Sequence, residues 1–234
     1  MKPSILAFAA FALSGALPCL PRATAVQAAE LTLPGGMRIG SMPVKSMKDL
    51  RFQATLRQRY DFSCGSAALA TLLTHHYNTP TTEQVAFQEM FISGDQQKIR
   101  REGFSLLDMQ RFLKRHGFTA NGFALPLDKL IEAKLPAIVL VSDNGYQHFV
   151  VIKGFDGGRI LLGDPSRGTR VMARARFESI WANRILFVIH EGPVKPGFNL
   201  ADDWRNAPRA PLGEGLSRAF ESTYGLPKFG PGDF

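Results

Sequence analysis

The segment QRYDFSCGS, residues 58–66, sets a side-chain amide six residues ahead of a cysteine and a glycine directly after it. Cys64 opens an Ala/Leu-rich run that extends to Tyr77. Its apolar positions Ala67, Leu69, Ala70, Leu72 and Leu73 predict a central helix with little polar surface. A thiol in the first turn of such a helix faces backbone N–H groups without intrahelical partners and the positive end of the helix dipole. Both favour the thiolate, the nucleophilic form. Gly65 would let a substrate approach the backbone closely. A cysteine nucleophile would also need a base, a group to orient the base and donors for an oxyanion. A buried structural thiol is the competing explanation.

The base must come from five histidines. His75 and His76 lie about three turns along the same helix, at 1.5 Å per residue, too far to reach Cys64. His116 sits at a helix end, where an imidazole caps carbonyls. His190 ends a strand and has no evident partner. His148 begins an apolar strand, and a strand end facing a helix start suits a Cys–His pair. Asp164, sixteen residues later, ends the strand after a hairpin. Antiparallel neighbours would bring it beside His148, to accept the imidazole N–H and hold the ring. A turn aspartate before Pro165 is the ordinary alternative. Asp156 is already explained by its hairpin turn. Gln58 supplies an amide able to donate to an oxyanion together with the Cys64 N–H. None of the histidines shows metal-ligand spacing, so no metal or cofactor is required.

These residues need a scaffold of helices and then strands. Thr81 to Phe91 reads as a second helix, capped by Thr81 or Thr82. Residues 93–103 are polar and loop-like. Ser105 and Asp108 form a near capping box ahead of a stripe of Leu106, Met109, Phe112 and Leu113, which Gly117 terminates. Residues 126–135 make a shorter helix. The period then changes, and residues 137–143, 148–155, 159–164, 169–177 and 184–190 are short β-rich runs. Asp156-Gly157-Gly158 joins two of them tightly. Helices followed by a meander of strands is an α+β pattern.

The ends differ from this body. Residues 1–29 have the charge, short apolar stretch and small residues of a cleavable secretory signal peptide. The apolar run falls short of the about 20 residues of a membrane span. Residues 30–46 read as an extended lead-in, 47–190 as the functional domain and 191–234 as a Pro/Gly-rich C-terminal extension. Cleavage near Ala28 or Ala29 removes Lys2, Arg22 and Cys19. Lys+Arg then falls from 28 to 26 against 20 Asp+Glu, a net charge of +6. Cys64 is left without a partner for an intramolecular disulfide. An unpaired thiol in an oxidising compartment calls for a reason other than cross-linking. The basic residues are scattered and lack the aromatic–basic array of a nucleic-acid binder.

Gln58, Cys64-Gly65 opening an Ala/Leu helix, then YQHFVVI and LLGDP, together resemble the C39 peptidases over roughly Met47 to His190. These are papain-like cysteine peptidases, best known as the leader-cleaving domains of bacteriocin exporters. GFSLLDMQRFLKRHGF is similar to the family's helix between its two catalytic segments. The resemblance implies an α+β papain-like fold with N-terminal helices packed on an antiparallel sheet. It implies Cys64 as nucleophile, His148 as general base, Asp164 as orienting carboxylate and Gln58 as oxyanion donor. Ser63 departs from the acidic residue often found before the family's cysteine. The signal peptide, without a transporter domain, resembles a stand-alone exported branch that includes peptidase-like components of functional-amyloid (Fap-type) secretion systems. That implies a periplasmic enzyme whose partner is a polypeptide, such as an amyloid subunit or secretion-system component. It implies no nucleic-acid partner and no integral membrane segment after cleavage. A non-catalytic peptide-binding or assembly component of a secretion system is the alternative. Exporter-linked members cut after a double glycine, and Gly35-Gly36 is either a self-processing site, a mimic that occupies the cleft or, more simply, a turn.

Overall fold

The computed structural model of the chain describes residues 28–32, 38–43 and 46–207. The leader's apolar stretch, Gly35-Gly36 and residues 208–234 lie outside them. The chain divides into two compact units between Val44 and Lys45. In the first, β1 (Ala28–Thr32) pairs antiparallel with β2 (Arg38–Pro43). The lead-in is therefore a two-stranded ribbon over these residues.

The second unit begins with α1 (Met47–Arg51), where the Ser46 hydroxyl accepts from the Asp49 N–H. α2 (Cys64–His76) is buried along nearly its whole length, as its uniform apolarity requires. α3 (Glu83–Ser93) starts at Thr82, whose hydroxyl accepts from the Val85 N–H. Residues 93–103 are not a loop. Asp95 caps the short helix α4 (Gln96–Glu102) and Ile99 anchors it in the core. A cap and one buried side chain outweigh its polar composition. α5 (Leu106–Arg115) opens with a full capping box between Ser105 and Asp108.

Six strands form one antiparallel sheet: β3 (Thr119–Phe123), β4 (Ala137–Asp143), β5 (Tyr146–Asp156), β6 (Arg159–Asp164), β7 (Gly168–Ala173) and β8 (Leu186–Glu191), in the order β3-β8-β4-β5-β6-β7. α6 (Leu127–Ala133) connects β3 to β4. The meander β4 to β7 follows the alternation in the sequence. β3, short and half-exposed, has no such signal and is recruited as an edge by β8. Residues 174–177, expected to continue a strand, instead begin α7 (Arg174–Ile180). Phe177 and Ile180 are buried three residues apart, and Arg174 bonds Glu178 one turn on. Among the described residues of the C-terminal extension, Ala201–Asn206 form α8.

Period-two alternation divides the sheet residues between two cores. Ile138, Phe149, Val151, Phe187 and Ile189 pack with α2, α3 and α5. Val139, Val150, Ile152, Leu162 and Val188 pack with α6 and α7 on the other face. The result is the α+β arrangement of helices on an antiparallel sheet.

Candidate active site

Cys64 is the first residue of α2. Ser63 positions it by knotting the preceding loop. The Ser63 hydroxyl accepts from the N–H groups of Arg59 and Tyr60 and donates to the Tyr60 carbonyl. A buried serine at this point therefore has a structural task, and an ionised acid could not make the bond it donates to the Tyr60 carbonyl. Gly65 is required by packing, because a Cβ there would meet Met109 Cε at 2.8 Å and Phe104 Cβ at 3.0 Å. The helix start is thus seated directly on α5 and on Phe149.

The thiol is only 8% exposed. Burial pushes its pKa up, while the backbone N–H groups of Phe149, Gly65 and Cys64 itself pull it down. Desolvation wins over the helix start here. The Phe149 ring, next in sequence to His148, packs against the helix start at Gly65 and brings that end of β5 to Cys64. At this end β5 overhangs β6: Tyr146 to Val150 pair with β4, whereas the β6 register begins at Val151 opposite Gly163. The overhang leaves one edge of β5 open beside α2.

His148 and Asp164 lie side by side, both side chains fully buried, with Nε2 3.2 Å from Oδ2. The Tyr146 ring stacks on the imidazole, centroids 4.9 Å apart. The other ring nitrogen, Nδ1, is buried and has no hydrogen-bond partner among the described residues. The carboxylate is held from all sides. Its Oδ1 accepts from the Ser166 N–H and hydroxyl and from the Arg167 N–H, and Arg170 Nη2 lies 3.1 Å from Oδ2. Burial alone would raise the Asp164 pKa, but the bonds from His148 and Ser166 and the charge of Arg170 hold it well below the usual carboxylate range. Asp164 is ionised at any working pH.

Gln58 stands in the wall beside this cluster, and its N–H donates to the Pro165 carbonyl at 3.1 Å. Its side-chain Nε2 donates to the Tyr60 carbonyl, also at 3.1 Å, and Oε1 is buried without a partner among the described residues. The amide must turn before it can serve an oxyanion.

Three of the other four histidines are engaged elsewhere: His76 Nδ1 meets the Gly197 carbonyl, His116 pairs with Glu89, and His190 with Asn121. His75 lies near the far end of α2, away from Cys64 at its start. Asp156 pairs with Arg159 across its hairpin. Ser166, Arg170 and Tyr146 were not singled out from the sequence. The Asp-Pro-Ser turn is a local signal for Ser166, while Arg170 carries none.

The peptidase C39 family model matches residues 53–192, from just before Gln58 to just beyond β8. The chain belongs to the peptidase C39 family. Two curated relatives are the probable functional amyloid protease FapD of Pseudomonas aeruginosa and that of Pseudomonas fluorescens. The first is 39% identical over 160 residues, 68% of this chain and 70% of that protein. The second is 38% identical over 166 residues, 71% of this chain and 73% of that protein. Among solved structures, the peptidase domain of Streptococcus ComA aligns with 59% of this chain and 98% of its own length, at 23% identity and a TM-score of 0.48. The C39 span of this chain encloses Gln58, Cys64, His148 and Asp164 together with every strand of the six-stranded sheet.

Proposed function

We propose that this C39 chain is an exported cysteine endopeptidase that hydrolyses a peptide bond in a secreted polypeptide, with Cys64, His148, Asp164 and Gln58 as its catalytic residues. The observation that carries the reading is the buried His148–Asp164 pair, with Nδ1 unpartnered among the described residues, on the strand whose Phe149 packs against the helix start that Cys64 opens. His148 Nδ1 takes the thiol proton, and Sγ attacks the substrate carbonyl carbon. The Cys64 N–H and the turned Gln58 amide hold the oxyanion. His148 then protonates the leaving amine, and water, activated by the same nitrogen, releases the acyl group. Asp164 keeps the Nε2 proton in place and stabilises the imidazolium.

The FapD relatives support a substrate within a functional-amyloid system, such as an amyloid subunit or another secreted component. The leader-like residues 1–29 support a periplasmic location. A binding or assembly role is the second reading, favoured by the poorly exposed, upshifted thiol and by the Gln58 amide turned to Tyr60. Incubation with secreted-protein candidates, with new termini read by mass spectrometry, separates the two. Cleavage by the wild type and none by Cys64→Ala supports the peptidase. Equal processing by both overturns it, and substrate capture without cleavage favours the binder.

A further inference from the structure

A cleft of about 780 Å³ opens beside the catalytic cluster, between α1, the segment ahead of α2 and the turn after Asp164. Lys48, Arg51, Arg57, Arg167 and Arg170 line it, and Asp61 contributes the one carboxylate among its lining residues. Arg167 is bonded to Asp143, and Arg170 is ion-paired with Asp164. Lys48, Arg51 and Arg57 form no ion pair with a described residue, and the Arg57 guanidinium lies 4.1 Å over the Phe52 ring. All three are exposed. Gln58 and Pro165 belong to the same wall, so the cleft and the catalytic residues share it.

Resting on the peptidase reading above, we infer that this cleft is a substrate subsite for an acidic peptide segment next to the scissile bond. Guanidinium groups match carboxylates as planar two-pronged donors. A cleft lined by one sign of charge concentrates the opposite sign and steers its approach. The site is concave and bordered by the catalytic wall, which suits an extended chain and not the flat surface of a bilayer. It is also formed by rigid parts. Arg51 backbone and Cβ lie against Gly168, which fixes α1 to the turn after Asp164.

The test uses the full chain carrying Cys64→Ala, so that binding is read without turnover. A fluorescein-labelled peptide with four glutamates and its glutamine counterpart serve as probes, followed by fluorescence anisotropy. The glutamate peptide is expected to bind about tenfold more tightly at low salt, the equivalent of one to a few exposed ion pairs, with the preference lost as salt rises. Adding Arg51→Gln and Arg57→Gln should abolish the preference while the melting temperature stays unchanged. Arg57→Gln alone should reduce it in part. Equal binding of the two peptides, or a preference that survives the double variant, overturns the subsite. So does binding to phosphatidylglycerol vesicles through these residues without any glutamate preference. If instead the wild type cleaves nothing while the glutamate preference holds, the peptidase reading fails and, with it, the subsite beside a scissile bond; what stands is an acidic-peptide site in this cleft.

Discussion

Lys153 Nζ, on β5, lies 2.6 Å from Asp203 Oδ1, on α8, with both side chains out of solvent. Lys153 also donates to the Ala54 carbonyl, and the Lys153 carbonyl accepts from the Asn199 N–H. Asn199 Oδ1 in turn takes the Phe155 N–H and the Trp204 indole N–H. The C-terminal segment is thereby fastened to the strand that carries His148, five residues away.

Removing one member of this pair strands the other charge in the core. Asp203→Ala is expected to cost about 3–5 kcal/mol in urea unfolding, because an unpaired buried ammonium is the penalty. The double variant Lys153→Met with Asp203→Leu should recover most of that loss. A single variant as stable as the wild type would show that the pair is not buried in solution.

Acid should loosen the same region through His76. Its Nδ1–H donates to the Gly197 carbonyl, and Nε2 lies 3.8 Å from Asp203 Oδ2. Burial, then the Lys153 ammonium, lower its pKa to about 4, against the pull of Asp203, with His75 adding to the lowering. The unfolded chain takes up this proton near pH 6.5, whereas the folded chain resists it until about 4. Stability therefore falls as pH drops through that window, by on the order of 3 kcal/mol from this group. His76→Gln keeps a donor for Gly197 and should flatten the melting temperature between these pH values.

Asp164→Asn tests the orientation of His148. An amide can present its NH₂ to Nε2 and force the proton onto Nδ1, which then cannot accept from the thiol. The kcat for peptide cleavage is expected to fall by about 10²- to 10⁴-fold. Folding should survive at reduced stability, because the Asn carbonyl still accepts from the Ser166 and Arg167 N–H groups while Arg170 loses its charge partner. Wild-type kcat in this variant would remove Asp164 from the mechanism.

Gly168 follows the Asp164 turn at φ +81°, where a Cβ would lie 2.6 Å from Arg51 Cβ and 2.8 Å from its carbonyl oxygen. Gly168→Ala adds left-handed strain and a backbone clash. A loss of about 1–3 kcal/mol in urea unfolding is expected, together with reduced cleavage as the turn shifts Asp164.

The parts of this protein that local chemistry controls were legible in its sequence. Thr82 and Ser105 announce helix starts because a cap bonds N–H groups within three residues. Cys64 opens α2, and the hairpin at Asp156-Gly157-Gly158 sets β5 and β6 side by side, which brings Asp164 to His148. Residues 93–103 read as a loop and 174–177 as strand in the sequence because Ile99, Phe177 and Ile180 acquire their helical face only against a core formed by distant residues.

Relations across long chain separations were decided by the tertiary structure alone. Nothing near Lys153 marks Asp203 as its partner, and nothing near Asp164 marks Arg170. The basic residues scattered from Lys48 to Arg170 become one cleft only when α1 packs on the turn at Gly168. Caps and periodicity act over a few residues and are written in order along the chain. Charge pairing and burial act over a few ångströms of space, and that space exists only after the sheet and its helices have packed.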